Sequence, residues 1–272
     1  MPVLALPFPA IDPVLVEIGP LAIRWYALAY IAGLVLGWLL ARALAARDAL
    51  WGGLSPMTPE DMDDLLFWTT LGVILGGRIG YVLFYNPAYF AAHPAEVLAV
   101  WQGGMSFHGG LIGTIVALVL VARMRAIPVL SLFDIAGVVA PIGLLFGRIA
   151  NFINSELWGR ATDVPWAVVF PNGGGVARHP SQLYEAALEG ALLLAIMLWL
   201  VNAGGLRRPG LAAGVFGIGY GLARITVEAF REPDAQLGYL AFGTTMGQWL
   251  SVPVVLAGFT LMAYALIRPP RA

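Results

Sequence analysis

Long apolar runs, broken by short polar stretches, dominate the chain. About 20 mostly apolar residues are needed to cross a hydrocarbon core as a helix. Seven runs meet that length, at about 21–46, 62–85, 105–123, 131–154, 183–203, 210–231 and 245–267. The pattern predicts an all-α integral membrane protein of about seven transmembrane helices, as a single polytopic domain over residues 1–272. The fourth run is the least regular, because Pro141 interrupts it and polar residues crowd its end. The loop at 155–182 holds the strand-like PWAVVF and the turn PNGGG, and is expected to form a small outer-face head region between spans four and five. The first twenty residues, MPVLALPFPAIDPVLVEIGP, carry five prolines and no basic residue. That is unlike a secretory signal, so 1–20 reads as an extended interfacial arm.

Glycines recur at helix-packing intervals, Gly72, Gly76 and Gly80 in the second span and Gly210, Gly214, Gly217 and Gly221 in the sixth. Small residues at this spacing let helices approach closely in lipid. Arginine counts set the orientation. Arg42, Arg47, Arg123, Arg125, Arg207, Arg208, Arg268 and Arg271 fall on one side, against Arg24, Arg160, Arg178 and Arg231 on the other. The positive-inside rule puts the first set in the cytoplasm, with the N-terminus outside and the C-terminus inside.

Composition sharpens this picture. Hydrophobic residues make up 60% of the chain and charged residues 11%, against about 25% charged in soluble domains. A net charge of -1 suggests no nucleic-acid partner. There is no cysteine, hence no thiolate metal site and no cysteine nucleophile of the chain's own. There is no lysine either, so every fixed cation is a guanidinium, a group that can bind phosphate bidentately.

Polar groups inside apolar runs are costly and mark functional candidates. The fourth span ends in GRIANFINSELWGR, residues 147–160, where helical spacing would put Arg148, Asn151 and Ser155 on one face, followed by Glu156 and Arg160. Snorkelling into the headgroups would account for Arg160 but not for Arg148, which has apolar neighbours on both sides. The sixth span carries Tyr220, Arg224, Glu228 and Arg231 as one helical stripe, which an Arg224–Glu228 ion pair would partly explain. The third opens with GGMSFHGGLIG, where His108 precedes two glycines and is either a core histidine or a proton carrier. Tyr26, in RWYALAY, suits an aromatic belt, and HPSQLYE at 179–185 most simply opens span five. The three histidines are not at ligand spacing, so no metal site is expected.

Taken together, RWYALAY, FHGGLIG, GRIANFINSELWGR, HPSQLYEA and GLARITVEAFREPD resemble the prolipoprotein diacylglyceryl transferase family, in order and along nearly the whole chain. Ala150 and Ser155 stand where many members have glycine. The resemblance implies seven transmembrane helices with an outer head, no cofactor, and residence in the bacterial cytoplasmic (inner) membrane. It implies transfer of the diacylglyceryl group of phosphatidylglycerol to the lipobox cysteine of a preprolipoprotein signal peptide, releasing glycerol 1-phosphate. It further implies catalytic roles for His108, Arg148, Arg224 and Tyr26, and headgroup or supporting roles for Asn151, Glu156, Gly159 and Glu228. The missing cysteine fits that chemistry, because the thiol nucleophile belongs to the substrate protein. Arg148 and Arg224 would stabilise charge developing on the phosphate, with Glu156 and Glu228 orienting them.

Two other classes account for part of this pattern. Arginines also line anion paths, so a transporter or channel for an anionic substrate is the alternative; no inverted repeat supports it. An intramembrane serine protease would need a partner beyond Ser106 and His108, which lie on different helix faces.

Overall fold

The computed structural model describes residues 5–9, 11–19, 21–233 and 238–271. Residues 1–4, 10 and 20 of the N-terminal arm and Asp234 of GLARITVEAFREPD lie outside the described set. All seven expected spans are helices long and apolar enough to cross a membrane: Trp25–Ala45, Pro59–Phe84, Phe107–Met124, Val129–Ile153, Ser181–Asn202, Leu211–Glu228 and Met246–Ile267. Large apolar side chains such as Ile31, Ile79, Leu120, Trp199 and Leu256 point outward from them. Water would not tolerate so many; lipid satisfies them.

The chain packs as two compact units, Ala41–Phe133 and Met1–Leu40 with Asp134–Ala272. Helix α1 (Trp25–Ala45) passes from one into the other. In the Ala41–Phe133 unit, α2 (Pro59–Phe84) starts at a capping box, Thr58 and Asp61 satisfying one another's backbone amides. Then come the short α3 (Pro87–Ala92) and α4 (Phe107–Met124), which Ser106 caps by accepting from the Gly109 amide at 3.2 Å. Helices α2 and α4 meet backbone to backbone: a Cβ at Gly72 would stand 2.4 Å from the Gly113 carbonyl oxygen. The glycines of the second span are therefore a packing seam. Arg42 pairs with Asp63, and Arg125 with Asp64 and, at 3.7 Å, with Asp61.

The other unit contains two small sheets. Strand β1 (Leu6–Pro7) pairs in parallel with β4 (Val168–Val169), which pairs antiparallel with β5 (Ala177–Arg178). Arm and loop thus share one sheet, a long-range pairing no local pattern reveals. Strands β2 (Val14–Ile18) and β3 (Leu21–Arg24) form a hairpin that runs into α1. Helix α5 (Val129–Ile153) continues through Pro141, contrary to the interruption expected there. Neighbouring helices support membrane helices across proline, and at Gly137, one turn earlier, an added Cβ would come within 3.1 Å of Phe216. Helices α6 (Ser181–Glu185) and α7 (Leu193–Asn202) are joined by the π-helical segment Ala186–Leu192. Helix α8 (Leu211–Glu228) begins beside Asp134, whose carboxylate accepts from the amides of Gly210 at 2.7 Å and Ala213 at 2.8 Å. Along α9 (Met246–Ile267), Gly258 meets Gly214 of α8, and Gly217 and Gly221 also lie against α9, whereas Gly210 precedes α8 and bonds Asp134.

Candidate active site

Three helices deliver charge to one buried point. Arg148 comes from α5, Glu185 from the end of α6, and Arg224 from α8. Gly190 makes the first approach possible: a Cβ there would lie 2.8 Å from the Leu145 Cα, so the π-helical segment rests on α5 one turn before Arg148. A π-helical turn inside a membrane helix commonly accompanies a functional site. Arg148 Nη1 is 3.2 Å from Glu185 Oε2 and its Nη2 is 3.4 Å from Glu189 Oε2. Arg224 pairs with Glu185 Oε1 and, one turn along its own helix, with Glu228. Arg231 Nη1 reaches Glu185 Oε1 at 3.1 Å, and Glu228 Oε2 accepts from the Thr245 hydroxyl at 2.5 Å.

Three arginines and three glutamates thus neutralise one another in a site largely shielded from solvent. Removing one partner from such a pair strands its mate, at a cost of about 3–5 kcal/mol. Glu185 is 0% exposed, yet the side chains of Arg148, Arg224 and Arg231 keep 17%, 14% and 10% of their surface. A guanidinium has five N–H donors in a planar fork. The carboxylates engage only part of the Arg148 and Arg224 forks, so donors remain there for an anion.

The segment after α5 closes one side. Asn151 Nδ2 donates to Glu156 Oε1 at 2.7 Å, and Gln182 Nε2 to the Glu156 carbonyl at 2.6 Å. Glu156 therefore engages an amide, where the sequence suggested an arginine. Ser155 does not share the face of Arg148 and Asn151: α5 ends at Ile153, and Ser155 has left-handed backbone, φ 54°. Arg231 likewise lies beyond the end of α8 and still reaches the cluster. Arg160 is no snorkelling residue; its Nε donates to the Arg231 carbonyl at 2.9 Å and its Nη2 to that of Glu228 at 3.1 Å, covering the free carbonyls at the end of α8. Gly159 N–H donates to the His179 carbonyl. The His179 imidazole is pushed below its ordinary range by burial and then by Arg160, and its Nδ1 lies 3.1 Å from the Tyr184 hydroxyl.

The Tyr26 hydroxyl is 3.1 Å from that of Tyr30, within electrostatic reach of Glu156 and Arg148. His108 belongs to the other unit, exposed in the first turn of α4, its ring edge-on to Phe107. Ser106 is spent as that helix's cap. Glu185, Glu189 and Thr245 were not singled out in the sequence. Two carboxylates four residues apart inside an apolar run carry the same signal that marked Arg148.

The sequence model of the prolipoprotein diacylglyceryl transferase family matches residues 13–264. The chain belongs to the prolipoprotein diacylglyceryl transferase family. A phosphatidylglycerol–prolipoprotein diacylglyceryl transferase of Methylocella silvestris is 61% identical over 261 residues, 96% of each chain. Proteins of the same name from Rhodopseudomonas palustris and Rhodospirillum rubrum are 60% and 59% identical, covering 96% and 98% of this chain and 92% and 97% of their own. The diacylglyceryl transferase match takes in both units and every charged residue of the cluster.

Proposed function

We propose that the chain transfers the diacylglyceryl group of phosphatidylglycerol to the lipobox cysteine of a preprolipoprotein, in the bacterial inner membrane. Near-full-length membership in the transferase family carries the reading. The arginine cluster supports it chemically. The cysteine sulfur forms a bond to the glyceryl carbon, the bond from that carbon to the phosphate oxygen breaks, and the electron pair stays on the departing glycerol 1-phosphate. The phosphodiester carries one negative charge and the leaving group gains a second. Arg148 and Arg224 meet that charge with donors held in place beforehand, which in a dry site is the largest catalytic effect in many enzymes. Glu228 holds Arg224. Tyr26, Asn151, Glu156 and Gly159 shape the headgroup end. His108 takes the thiol proton; a free thiol has a pKa of about 8.5 and needs such help at neutral pH.

In this reading the N-terminus and the cluster face outward, the sheet of β1, β4 and β5 is part of the outer head, and the C-terminus is cytoplasmic. The arginine bias supports that orientation. A reporter active only in the cytoplasm, fused after residue 272, gives signal if it is right. The function itself is tested with purified chain, phosphatidylglycerol and a lipobox peptide. Mass spectrometry should find the diacylglyceryl thioether and glycerol 1-phosphate in equal amounts. Peptide left unmodified by folded protein overturns the reading.

A further inference from the structure

We infer that Glu185 is the positioning residue of the site, the anchor that presents the guanidiniums of Arg148, Arg224 and Arg231 as one preformed receptor for a phosphate ester. The inference rests on the transferase reading and adds a residue to it. Among the described residues, Glu185 alone joins the arginine of α5 to the arginines at the end of α8. Its Oε2 takes Arg148 at 3.2 Å, while its Oε1 takes Arg224 and, at 3.1 Å, Arg231. Among the described residues, Glu189 forms an ion pair with Arg148 alone, and Glu228 with Arg224 and Arg231 but not Arg148.

The physical need is plain. Guanidiniums brought this close repel one another, and each ends a long side chain with much rotamer freedom to lose. A carboxylate accepts bonds on both oxygens, so one buried Glu offsets the repulsion and fixes the separation of all three. Its own place is set by the packing of Gly190 on Leu145 and by the chain turn that Gln182 and Ser181 tie to the carbonyls of Glu156 and Leu157. Arginines placed in advance spend no reorganisation when charge appears on the phosphate.

Purified Glu185→Gln, Glu185→Asp and Glu189→Gln proteins, assayed with phosphatidylglycerol and a lipobox peptide, test this. Glu185→Gln keeps size but turns an N–H toward one arginine. Its kcat should fall about 10²-fold, the loss expected for a misplaced catalytic group, with KM for phosphatidylglycerol nearly unchanged. Glu185→Asp keeps the charge and should recover part of that loss. Glu189→Gln, which frees one arginine only, should lose less than Glu185→Gln. A second readout does not depend on turnover. Phenylglyoxal labelling of Arg148 and Arg224, read by peptide mass, should be suppressed by glycerol 1-phosphate in the parent protein and much less in Glu185→Gln. A Glu185→Gln protein with parental kcat, or with parental protection, overturns the inference. So does a loss of melting temperature that accounts for the lost activity and is shared equally by Glu189→Gln. Parent protein that makes no thioether defeats the transferase reading instead, and the labelling comparison still decides the role of Glu185.

Discussion

The backbone amide of Gly159 donates to the carbonyl of His179 at 2.8 Å, and a Cβ at position 159 would stand 2.6 Å from the His179 Cβ. The Phe230 carbonyl oxygen would be as close on the other side, at 2.5 Å. Two backbone segments clasp position 159, so only a residue without a side chain fits. Gly159→Ala should lower stability by about 1–3 kcal/mol through overpacking. It should also slow turnover, because Arg160 and Arg231 flank the same crossing. Thermal melting in detergent and initial rates check this; an alanine variant equal to the parent in both refutes it.

Arg148→Lys and Arg224→Lys should both be severely impaired although charge is conserved. Each arginine contacts two carboxylates through different atoms, and an ammonium cannot keep that fork while also meeting phosphate oxygens. The barrier should rise by about 2.7–4 kcal/mol, a rate loss of roughly 10²–10³. Binding of intact phosphatidylglycerol should change less, since its headgroup carries one charge and its acyl chains are untouched. Steady-state kinetics on folded variants decide the matter, and near-parental turnover in both would refute the proposed charge stabilisation.

The spans were legible because length and apolarity are local properties, and lipid imposes them without exception. Arg148 and Arg224 were legible for the converse reason, being charged where lipid forbids it. The partner of both was not. Glu185 carries the same signal of charge in an apolar run, but HPSQLYE reads first as a helix start, where a carboxylate looks like an ordinary surface residue, and only the fold shows that this end is buried. Helical spacing puts Ser155 on the Arg148 face only if the helix runs past Ile153, and helix ends are poorly marked by periodicity. The joining of β1 to β4 spans about 160 residues of sequence and leaves no local trace.

Asp134 offers a stability prediction separate from chemistry. Its carboxylate, 0% exposed, satisfies two amides at the start of α8. Asp134→Ala strands those donors and should cost about 1–3 kcal/mol. It should lower the melting temperature while kcat and KM of the remaining folded protein stay at parental values. A variant that melts normally but turns over slowly would contradict the capping role.

His108→Gln should lower kcat more than it raises KM for either substrate. If the imidazole takes the thiol proton, activity should recover in part as pH rises toward 8.5, because more peptide is then already thiolate. The parent should show a shallower rise over the same range. Full activity of the glutamine variant at neutral pH would leave His108 with no part in proton transfer.

Arg78 is buried, and its guanidinium donates to the carbonyls of Val97 at 2.8 Å, Glu96 at 2.6 Å, Gly103 at 2.6 Å and Gly104 at 3.3 Å, with the Phe90 ring against its face. Four acceptors lean on one side chain, so its loss would strand all four together. The turns between α3 and His108 therefore hang on a single fastening, a pin set from the neighbouring helix rather than from within the loop. Their shape is written at residue 78, on α2, more than in the composition of the loop itself.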